Sequence, residues 1–168
     1  NDEAFKNWFA QKPTATDLEK AVQKVTVAHL TFDDMSNGKA SDLVPTNSPA
    51  SYWGDVQAVE GKKGKAIRSD AQGQLVSDGS KVSFERNEPF TISFWINAPK
   101  EFDEAHVIYN GNNRIQGYRG WDVMLDSNYV HFRLNHAHPY QSIDIYTPQP
   151  LQINDWTHLV WTYDGSSK

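Results

Sequence analysis

A short acidic segment supplies the first candidate residues for catalysis, namely Glu101, Asp103 and Glu104. Glycoside hydrolysis usually needs two carboxylates, about 5–5.5 Å apart when configuration is retained and about 6.5–9.5 Å apart when it is inverted. In a strand, Glu101 and Asp103 would share one face and Glu104 would point the other way. Because the segment follows Pro99-Lys100, we interpret it as a solvated connecting loop and predict no catalytic residue there.

Histidines offer a second possible chemistry. His136 and His138 would lie on the same side of an extended segment, and His131 on a neighbouring stretch could add a third imidazole. A metal site needs a third and often a fourth donor, held by further hydrogen bonds. Pro139 follows immediately and indicates a strand end or a loop. We therefore favour polar surface histidines over metal ligands.

Nucleophilic and phosphate-binding motifs are missing from the sequence. It contains no cysteine, which excludes disulfides, thiolate metal sites and a cysteine nucleophile. No G-x-S-x-G motif occurs, and the stretch from Gly61 to Lys65 is too short for a P-loop and precedes a strand. We predict that the chain is not an enzyme.

Aromatic, amide and basic side chains in predicted loops are the better candidates for a binding site. Aromatic rings can pack on the C–H surfaces of sugars while amides and charged groups bind hydroxyls, and loops on a rigid scaffold often carry such sites. The alternative is that Trp53 and Tyr140 only close the ends of the core. The candidate ligand-binding residues are Trp53, Tyr109, Asn110, Asn112, Arg114, Tyr118, His136, His138 and Tyr140.

The elements that position these residues follow from a period of two in hydrophobicity. Short segments of alternating apolar and polar residues are separated by turn formers such as Asn37-Gly38 and Asp78-Gly79. This pattern predicts an antiparallel sandwich or barrel and argues against a parallel sheet, whose strands are apolar on both faces. The predicted strands lie within residues 27–32, 90–97, 121–126, 129–134, 143–145 and 156–163.

Residues 1–25 have a different pattern, typical of a helix. A capping box is predicted at Thr16 and Glu19, and an apolar stripe follows at Leu18, Ala21, Val22 and Val25. We predict a helical arm over residues 1–25 that packs on a sandwich formed by residues 26–168. The alternative is an amphipathic helix that binds a partner.

Charge and hydropathy narrow the range of partners. The net charge is −5, and no basic run or stripe is present to neutralise nucleic-acid phosphates. No apolar stretch approaches the roughly 20 residues of a membrane-spanning helix. We therefore expect neither nucleic-acid binding nor a membrane span in this segment.

Four motifs resemble those of laminin-G-like domains of the concanavalin A-like lectin/glucanase type. In chain order they are residues 27–34 (VAHLTFDD), 61–67 (GKKGKAI), 89–96 (PFTISFWI) and 156–165 (WTHLVWTYDG). The resemblance implies an all-β, antiparallel jelly-roll β-sandwich. A narrower resemblance is to the module of planctomycete-type multi-domain surface cytochrome c proteins. Ser69 departs from the family pattern, which usually has an aromatic residue or leucine there.

The resemblance also bears on whether the sandwich is complete and on whether it has a metal site. The family continues beyond its Tyr-Asp-Gly turn into a hairpin and final strands, so it implies a C-terminally incomplete sandwich that is completed from outside this chain. Laminin-G-like domains often hold calcium near acidic loops. Here Asp33, Asp34 and Asp42 flank the Asn37-Gly38 turn, and the resemblance therefore implies a possible Ca²⁺ site at these carboxylates.

Together these features predict a non-catalytic binding module within a larger protein. We expect it outside the cell, on the surface or in the periplasm of a bacterium, where it would bind a glycan or a surface protein and adjoin the remaining domains of a parent chain. The alternatives are a glycoside hydrolase of sandwich fold and a structural spacer without a ligand.

Overall fold

The computed structural model describes residues 2–10, 12, 14–70, 72–112 and 114–166, which form two N-terminal helices and a set of antiparallel strands. The predicted all-β jelly-roll sandwich is confirmed. The elements are α1 (Asp2–Ala10), α2 (Ala15–Val25), β1 (Lys39–Ala40), β2 (Ala50–Trp53), β3 (Val56–Glu60), β4 (Lys65–Ser69), β5 (Gln74–Val76), β6 (Phe90–Asn97), β7 (Ala105–Gly111), β8 (Gly120–Asp126), β9 (Tyr129–Ala137), β10 (Gln141–Tyr146) and β11 (Trp156–Tyr163).

The largest sheet has the strand order β10-β9-β8-β7 and is antiparallel throughout. Strict alternation in β8 and β9 turns Val123 and Val130 inward, where both are fully buried. Burial of one such side chain stabilises the fold by about 1.5–3 kcal/mol. The sheet is therefore fixed in register by its apolar face, because a slip of one residue would expose that face.

The strands β6 and β11 form the facing layer of the sandwich. Their inward residues share one buried cluster with the four-stranded sheet, in which Trp161 packs 4.9 Å from Phe90 and 5.4 Å from Phe132, measured between ring centroids. On the opposite face of β11, His158 stacks on Trp95 and its Nε2 lies 2.9 Å from Ser93 Oγ. His158 is therefore a packed and hydrogen-bonded residue of this layer.

Two small sheets complete the β-structure of the described residues. One has the order β1-β2-β5 and the other is the β3–β4 hairpin. Gly64 in this hairpin has φ +57°, and a Cβ atom there would lie 2.3 Å from Asp33 Oδ1. Only glycine allows both this backbone conformation and the close approach of Asp33.

The N-terminal helices confirm the helical prediction but correct its details. The capping box of α2 lies at Thr14 and Asp17, not at Thr16 and Glu19, because the Thr14 side chain accepts the Asp17 N–H while the Asp17 carboxylate accepts the Thr14 N–H. The apolar stripe is also not packed on the sandwich, since Val22 is 61% exposed. The described part of the chain contains no helix with the length and apolar character needed to span a membrane.

The first predicted strand, at residues 27–32, is wrong. These residues are all described, and none of them belongs to a strand. Instead, side chains of the following loop form hydrogen bonds with the backbone of this segment. Asp42 accepts the His29 N–H at 2.9 Å, and Asn47 donates to the Val27 carbonyl at 2.8 Å. The segment is thus anchored by these side chains and by one backbone hydrogen bond, from the Leu43 N–H to the His29 carbonyl at 2.8 Å, and not by a ladder.

Candidate functional site

The four-stranded sheet has a second face, directed away from the buried cluster, which we call the outer face. Cross-strand pairing places polar and aromatic residues of four strands side by side on it, because partners in register share a face. The outer face consists of His106, Tyr109, Asp122, Met124, Asp126, Tyr129, His131, Arg133, Asn135, Ser142, Asp144 and Tyr146.

One end of the outer face is an open depression of about 250 Å³ with an aromatic wall. The rings of His131 and Tyr146 stack with their centroids 5.2 Å apart, and Tyr129 meets Tyr146 edge-on at 6.4 Å. His131 Nδ1 lies 3.0 Å from Asp144 Oδ1, which fixes the orientation of the imidazole. We call this end the aromatic depression; Asp126 and Ser127 also line it.

The middle of the outer face is a buried charged network. Arg133 donates from Nε to Asp122 Oδ1 at 2.7 Å and from Nη2 to Asp122 Oδ2 at 3.0 Å. Asn135 donates a third hydrogen bond to Asp122 Oδ2 at 3.2 Å. The bidentate geometry neutralises both charges and holds the three side chains in one arrangement.

At the far end, two loops meet beside β9. His138 donates its backbone N–H to the Gly117 carbonyl at 2.9 Å, and its ring lies 6.3 Å from that of Tyr118 in an edge-on contact. We call residues 112, 114–119 and 138–140 the loop pair. It presents Ile115 and Tyr140 almost fully to solvent, at 95% and 93% exposure.

The structure brings together some of the predicted ligand-binding residues. Tyr118 and His138 are in contact, Tyr140 belongs to the same loop pair, and Tyr109 lies on the outer face. His136 lies near the end of β9 and is exposed. Trp53 is separate from these residues in β2 and is 51% exposed, so neither it nor Tyr140 closes an end of the core.

Three predicted residues of the β7–β8 region have other positions or roles. The Asn110 amide donates to the Gly79 carbonyl at 2.8 Å and to Ser83 Oγ at 3.2 Å, so it ties β7 to the preceding turn. Asn112 donates its backbone N–H to the Arg119 carbonyl, which closes the loop. Arg114 begins a short 3-10 helix, and its side chain lies outside the described residues.

The acidic segment that was considered for hydrolysis is a loop, as predicted. Glu101, Asp103 and Glu104 are exposed between β6 and β7. The loop is held by Asn128, whose Oδ1 accepts the Phe102 N–H at 3.0 Å. These carboxylates therefore face solvent and are not on the outer face.

The proposed calcium ligands do not surround a common point, which corrects that expectation. Asp33 accepts the Lys65 N–H at 2.7 Å, and Asp34 accepts the Ser41 N–H at 3.2 Å. Asp42 accepts the N–H groups of His29 and Val44, both at 2.9 Å. Within the described ranges, no group of three or more Asp, Glu or His side chains is arranged to hold a metal ion. This finding also applies to His131, His136 and His138.

Local hydrogen bonds lower the pKa values of Asp34 and Asp42. Burial alone would raise the pKa of Asp42, but hydrogen bonds from Asn47, Val44 and His29 outweigh it and lower that pKa. Hydrogen bonds from Ser41 lower the pKa of Asp34. Next to Asp42, the ammonium of Lys81 donates to Thr46 Oγ1 at 3.0 Å and to Asn47 Oδ1 at 2.6 Å. These two oxygens are therefore already bound to a positively charged group of the protein.

Sequence reasoning did not find the outer face as a site. Its residues occupy the polar positions of the alternation in β8 and β9, which identifies them as facing away from the core. The pairing register of the strands places Tyr146 next to His131 and Arg133 next to Asp122. A single sequence does not reveal that register.

Comparisons with known proteins agree with this fold. A family model described as the concanavalin A-like lectin/glucanases superfamily matches residues 69–168. Botulinum neurotoxin type X of Clostridium botulinum is 28% identical over 140 residues, which covers 77% of this chain and 10% of the toxin. The non-toxic nonhemagglutinin of Paraclostridium bifermentans is 27% identical over 130 residues, which covers 76% of this chain and 10% of that protein.

A solved structure shows the same architecture. The binding domain of botulinum neurotoxin DC, determined in complex with rat synaptotagmin II, superposes with a TM-score of 0.61 at 18% identity and covers 84% of this chain and 36% of that chain. The chain spans about a tenth of the length of the curated relatives it matches. The narrower resemblance to planctomycete-type surface proteins stays a prediction. By its family match and its fold, the chain belongs to the concanavalin A-like lectin/glucanase superfamily.

Proposed function

We propose that this chain is a non-catalytic recognition module that binds a glycan on its outer face. The observation that carries the proposal is the aromatic depression, where the stacked pair His131–Tyr146 and the edge-on Tyr129 form a wall beside Asp144 and Asp126. We place the module outside a bacterial cell, at the surface or in the periplasm, as one domain of a larger protein.

The chemistry of the depression suits a sugar. Aromatic faces pack on the apolar C–H surfaces of a pyranose ring, and the neighbouring carboxylates and imidazole can accept or donate hydrogen bonds to its hydroxyls. Tyr146 is 65% exposed, so its ring is accessible without a rearrangement of the sheet. A shallow, open site of this kind is suited to one stretch of a longer polysaccharide.

The arrangement of carboxylates supports binding and not hydrolysis. A general acid must carry an exchangeable proton next to the scissile bond. On the outer face, both oxygens of Asp122 already accept hydrogen bonds from Arg133, while Glu101 and Asp103 lie in a separate exposed loop. The structural neighbour named as a binding domain is consistent with a recognition role for this fold.

The proposal is tested on a glycan array followed by calorimetric titration of the best-bound glycan. We expect Tyr146→Ala and Tyr129→Ala to weaken binding about tenfold or more, which corresponds to about 1.4 kcal/mol. Trp53→Ala is the control, because this exposed aromatic residue belongs to another sheet, and it should bind like the parent chain.

Three outcomes would contradict the proposal. An array without any bound glycan would favour recognition of a protein by the exposed loop pair, or a spacer role. Glycan binding that survives Tyr146→Ala but not Trp53→Ala would place the site elsewhere. Release of reducing sugar from a bound polysaccharide, abolished by Glu101→Gln or Asp103→Gln, would show a hydrolase.

A further inference from the structure

The aromatic depression is lined by a carboxylate that has no positively charged neighbour within the described ranges. Asp126 lies directly across from Tyr129 in the β8–β9 register and lines the depression. Its Oδ1 accepts the Ser127 hydroxyl at 3.2 Å, and no salt bridge of the described residues includes it. Asp126 is exposed, so its negative charge is accessible to a ligand in the depression.

The other carboxylates of the outer face are bound by neighbouring side chains. Both oxygens of Asp122 accept hydrogen bonds from Arg133, and Asp144 lies 3.0 Å from the imidazole of His131. Among the described residues that form the outer face, Arg133 is the only arginine or lysine. A ligand in the depression therefore meets an uncompensated negative charge, in a chain whose net charge of −5 also attracts cations.

The tyrosine rings of the depression add to this preference for a cation. The ring planes of Tyr129 and Tyr146 lie at 85° to each other with centroids 6.4 Å apart, so the two rings form a corner. The π electrons of an aromatic face attract an ammonium group that lies within about 6 Å of the ring centroid. Tyr146 is 65% exposed, so a ligand reaches its ring from solvent. Two rings at right angles beside a carboxylate are groups that bind an organic ammonium ion.

The depression does not suit a metal ion or an anionic sugar. Within the part of the chain that the structure describes, no three Asp, Glu or His side chains are arranged to hold a metal. Its volume of about 250 Å³ also exceeds the space that a bare ion fills. A sulfate or carboxylate group would be repelled by the charge of Asp126. The favoured cation is thus part of a larger ligand that also has an apolar surface for the rings.

We infer that the aromatic depression selects a glycan with unsubstituted amino sugars, such as a glucosamine oligomer, whose ammonium group binds Asp126 while its ring packs on Tyr129 and Tyr146. This inference rests on the proposed glycan-binding function and adds the chemical class of the sugar. In glucosamine the ammonium group is attached directly to the pyranose ring, so one unit supplies both the charge and the apolar C–H surface. An N-acetylated sugar has a neutral amide at that position, so it packs on the rings without neutralising the carboxylate.

The test compares two trisaccharides with the same backbone, the glucosamine trimer and its tri-N-acetylated form. Binding of each to the described chain is measured by calorimetric titration in low-salt buffer just below neutral pH, where the sugar amine carries its proton. We expect the glucosamine trimer to bind about tenfold more tightly than the acetylated trimer. Added salt should reduce this difference, because it screens charges at an exposed site.

Asp126→Asn removes the charge and keeps an oxygen that can accept the Ser127 hydroxyl. This variant should bind the glucosamine trimer about as weakly as the acetylated trimer, with little change in the melting temperature or in the affinity for the acetylated trimer. Asp55→Asn is the matched control, because Asp55 is an exposed aspartate between β2 and β3, and it should keep the preference of the parent chain. Trilysine serves as the probe for a peptide cation and should bind more weakly than the glucosamine trimer, because its ammonium groups lie on flexible chains.

The outcomes separate this inference from the proposed function. If glycans bind and Tyr146→Ala abolishes their binding, but the glucosamine trimer binds no more tightly than its acetylated form, the sugar class is wrong and the proposed function stands. If Asp126→Asn keeps the preference for the glucosamine trimer, the role assigned to this carboxylate is wrong. If trilysine binds more tightly than the glucosamine trimer, the cation belongs to a peptide and the inference is overturned. If neither trimer nor any array glycan binds, the proposed function itself fails.

Discussion

Arg133 holds Asp122 by two parallel hydrogen bonds across the β8–β9 pair, and both side chains are largely buried, at 12% and 7% exposure. They lie on the outer face and not in the apolar core. Removing one partner would leave the other charge buried and unpaired. We expect Asp122→Ala to lower the free energy of unfolding by about 3–5 kcal/mol, as measured by urea denaturation.

The control for this pair is the exposed ion pair between Arg119 and Glu85, whose side chains are 49% and 64% exposed. Water and salt screen such a pair, so Glu85→Ala should cost about 0–1 kcal/mol. Equal losses for Asp122→Ala and Glu85→Ala would show that burial does not amplify the Asp122–Arg133 interaction.

The acid sensitivity of the fold should depend in part on Asp42. Its pKa is lowered in the folded state, because hydrogen bonds from Asn47, Val44 and His29 outweigh burial. The stability that it contributes is therefore complete above its unfolded pKa of about 3.9 and is lost as the pH falls through the lower folded pKa. We expect Asp42→Asn to cost about 1–3 kcal/mol at pH near 7 and less at pH near 3.

Urea denaturation of both proteins at several pH values measures this difference, with the exposed Asp155→Asn as control. The Asp155 variant should follow the parent chain throughout. A difference between the parent chain and Asp42→Asn that stays constant from pH near 7 to pH near 3 would contradict the assigned role of the carboxylate.

Strictly alternating segments such as β8, β9 and β11 were predictable from the sequence, because burial of one face imposes a period of two. β7 was missed because a register shift between His106 and Ile108 lets both Val107 and Ile108 pack on the core, which breaks the alternation. Residues 27–32 alternate but form no strand, since Asp42 and Asn47 bind their backbone groups.

The candidate site was predictable only in part, for a related reason. Tyr118 and His138 belong to loops that the turn residues reveal, and they do meet. By contrast, the Asn110 amide donates hydrogen bonds to the Gly79 carbonyl and the Ser83 hydroxyl. The stacking of His131 on Tyr146 depends on strand register. These contacts join distant parts of the chain, and local sequence patterns carry no information about them.

The close contact between Asp33 and Gly64 of the β3–β4 hairpin is testable by substitution of the glycine. At Gly64, φ is +57° and an added Cβ would lie 2.3 Å from Asp33 Oδ1, whereas at Gly38, φ is +74° and the nearest atom would be 3.4 Å away. Gly38→Ala should cost about 1–2 kcal/mol for the left-handed backbone alone. Gly64→Ala should cost more, because it also displaces Asp33 from the Lys65 N–H.

Thermal denaturation of the two variants measures this difference. The excess loss in Gly64→Ala should largely disappear when Asp33 is changed to Ala in both the parent chain and the variant, since the clashing oxygen is then absent. Identical losses for Gly38→Ala and Gly64→Ala would show that Asp33 moves aside at no cost.

The loop that carries Glu101, Asp103 and Glu104 should depend on Asn128, which is 3% exposed and has φ +61°. Its side chain accepts the Phe102 N–H at 3.0 Å and donates to the Lys100 carbonyl at 3.4 Å. Asn128→Gly keeps the backbone conformation and removes these bonds, so we expect a loss of about 1–3 kcal/mol. Asn128→Ala should lose more, because alanine also resists positive φ.

Asn154 is the matched control, because it also has a positive φ, of 60°, but an exposed side chain. Asn154→Gly should leave the unfolding free energy nearly unchanged, and hydrogen exchange at Phe102 should rise only in the Asn128 variants. If Asn128→Gly is as harmless as Asn154→Gly, the loop is held by its other bonds, namely those from the backbone N–H groups of Ser127 and Asn128 to the carbonyls of Asp103 and Phe102. Comparing the unfolding free energies of Asn128→Gly and Asn128→Ala separates the contribution of the side chain from that of the backbone conformation.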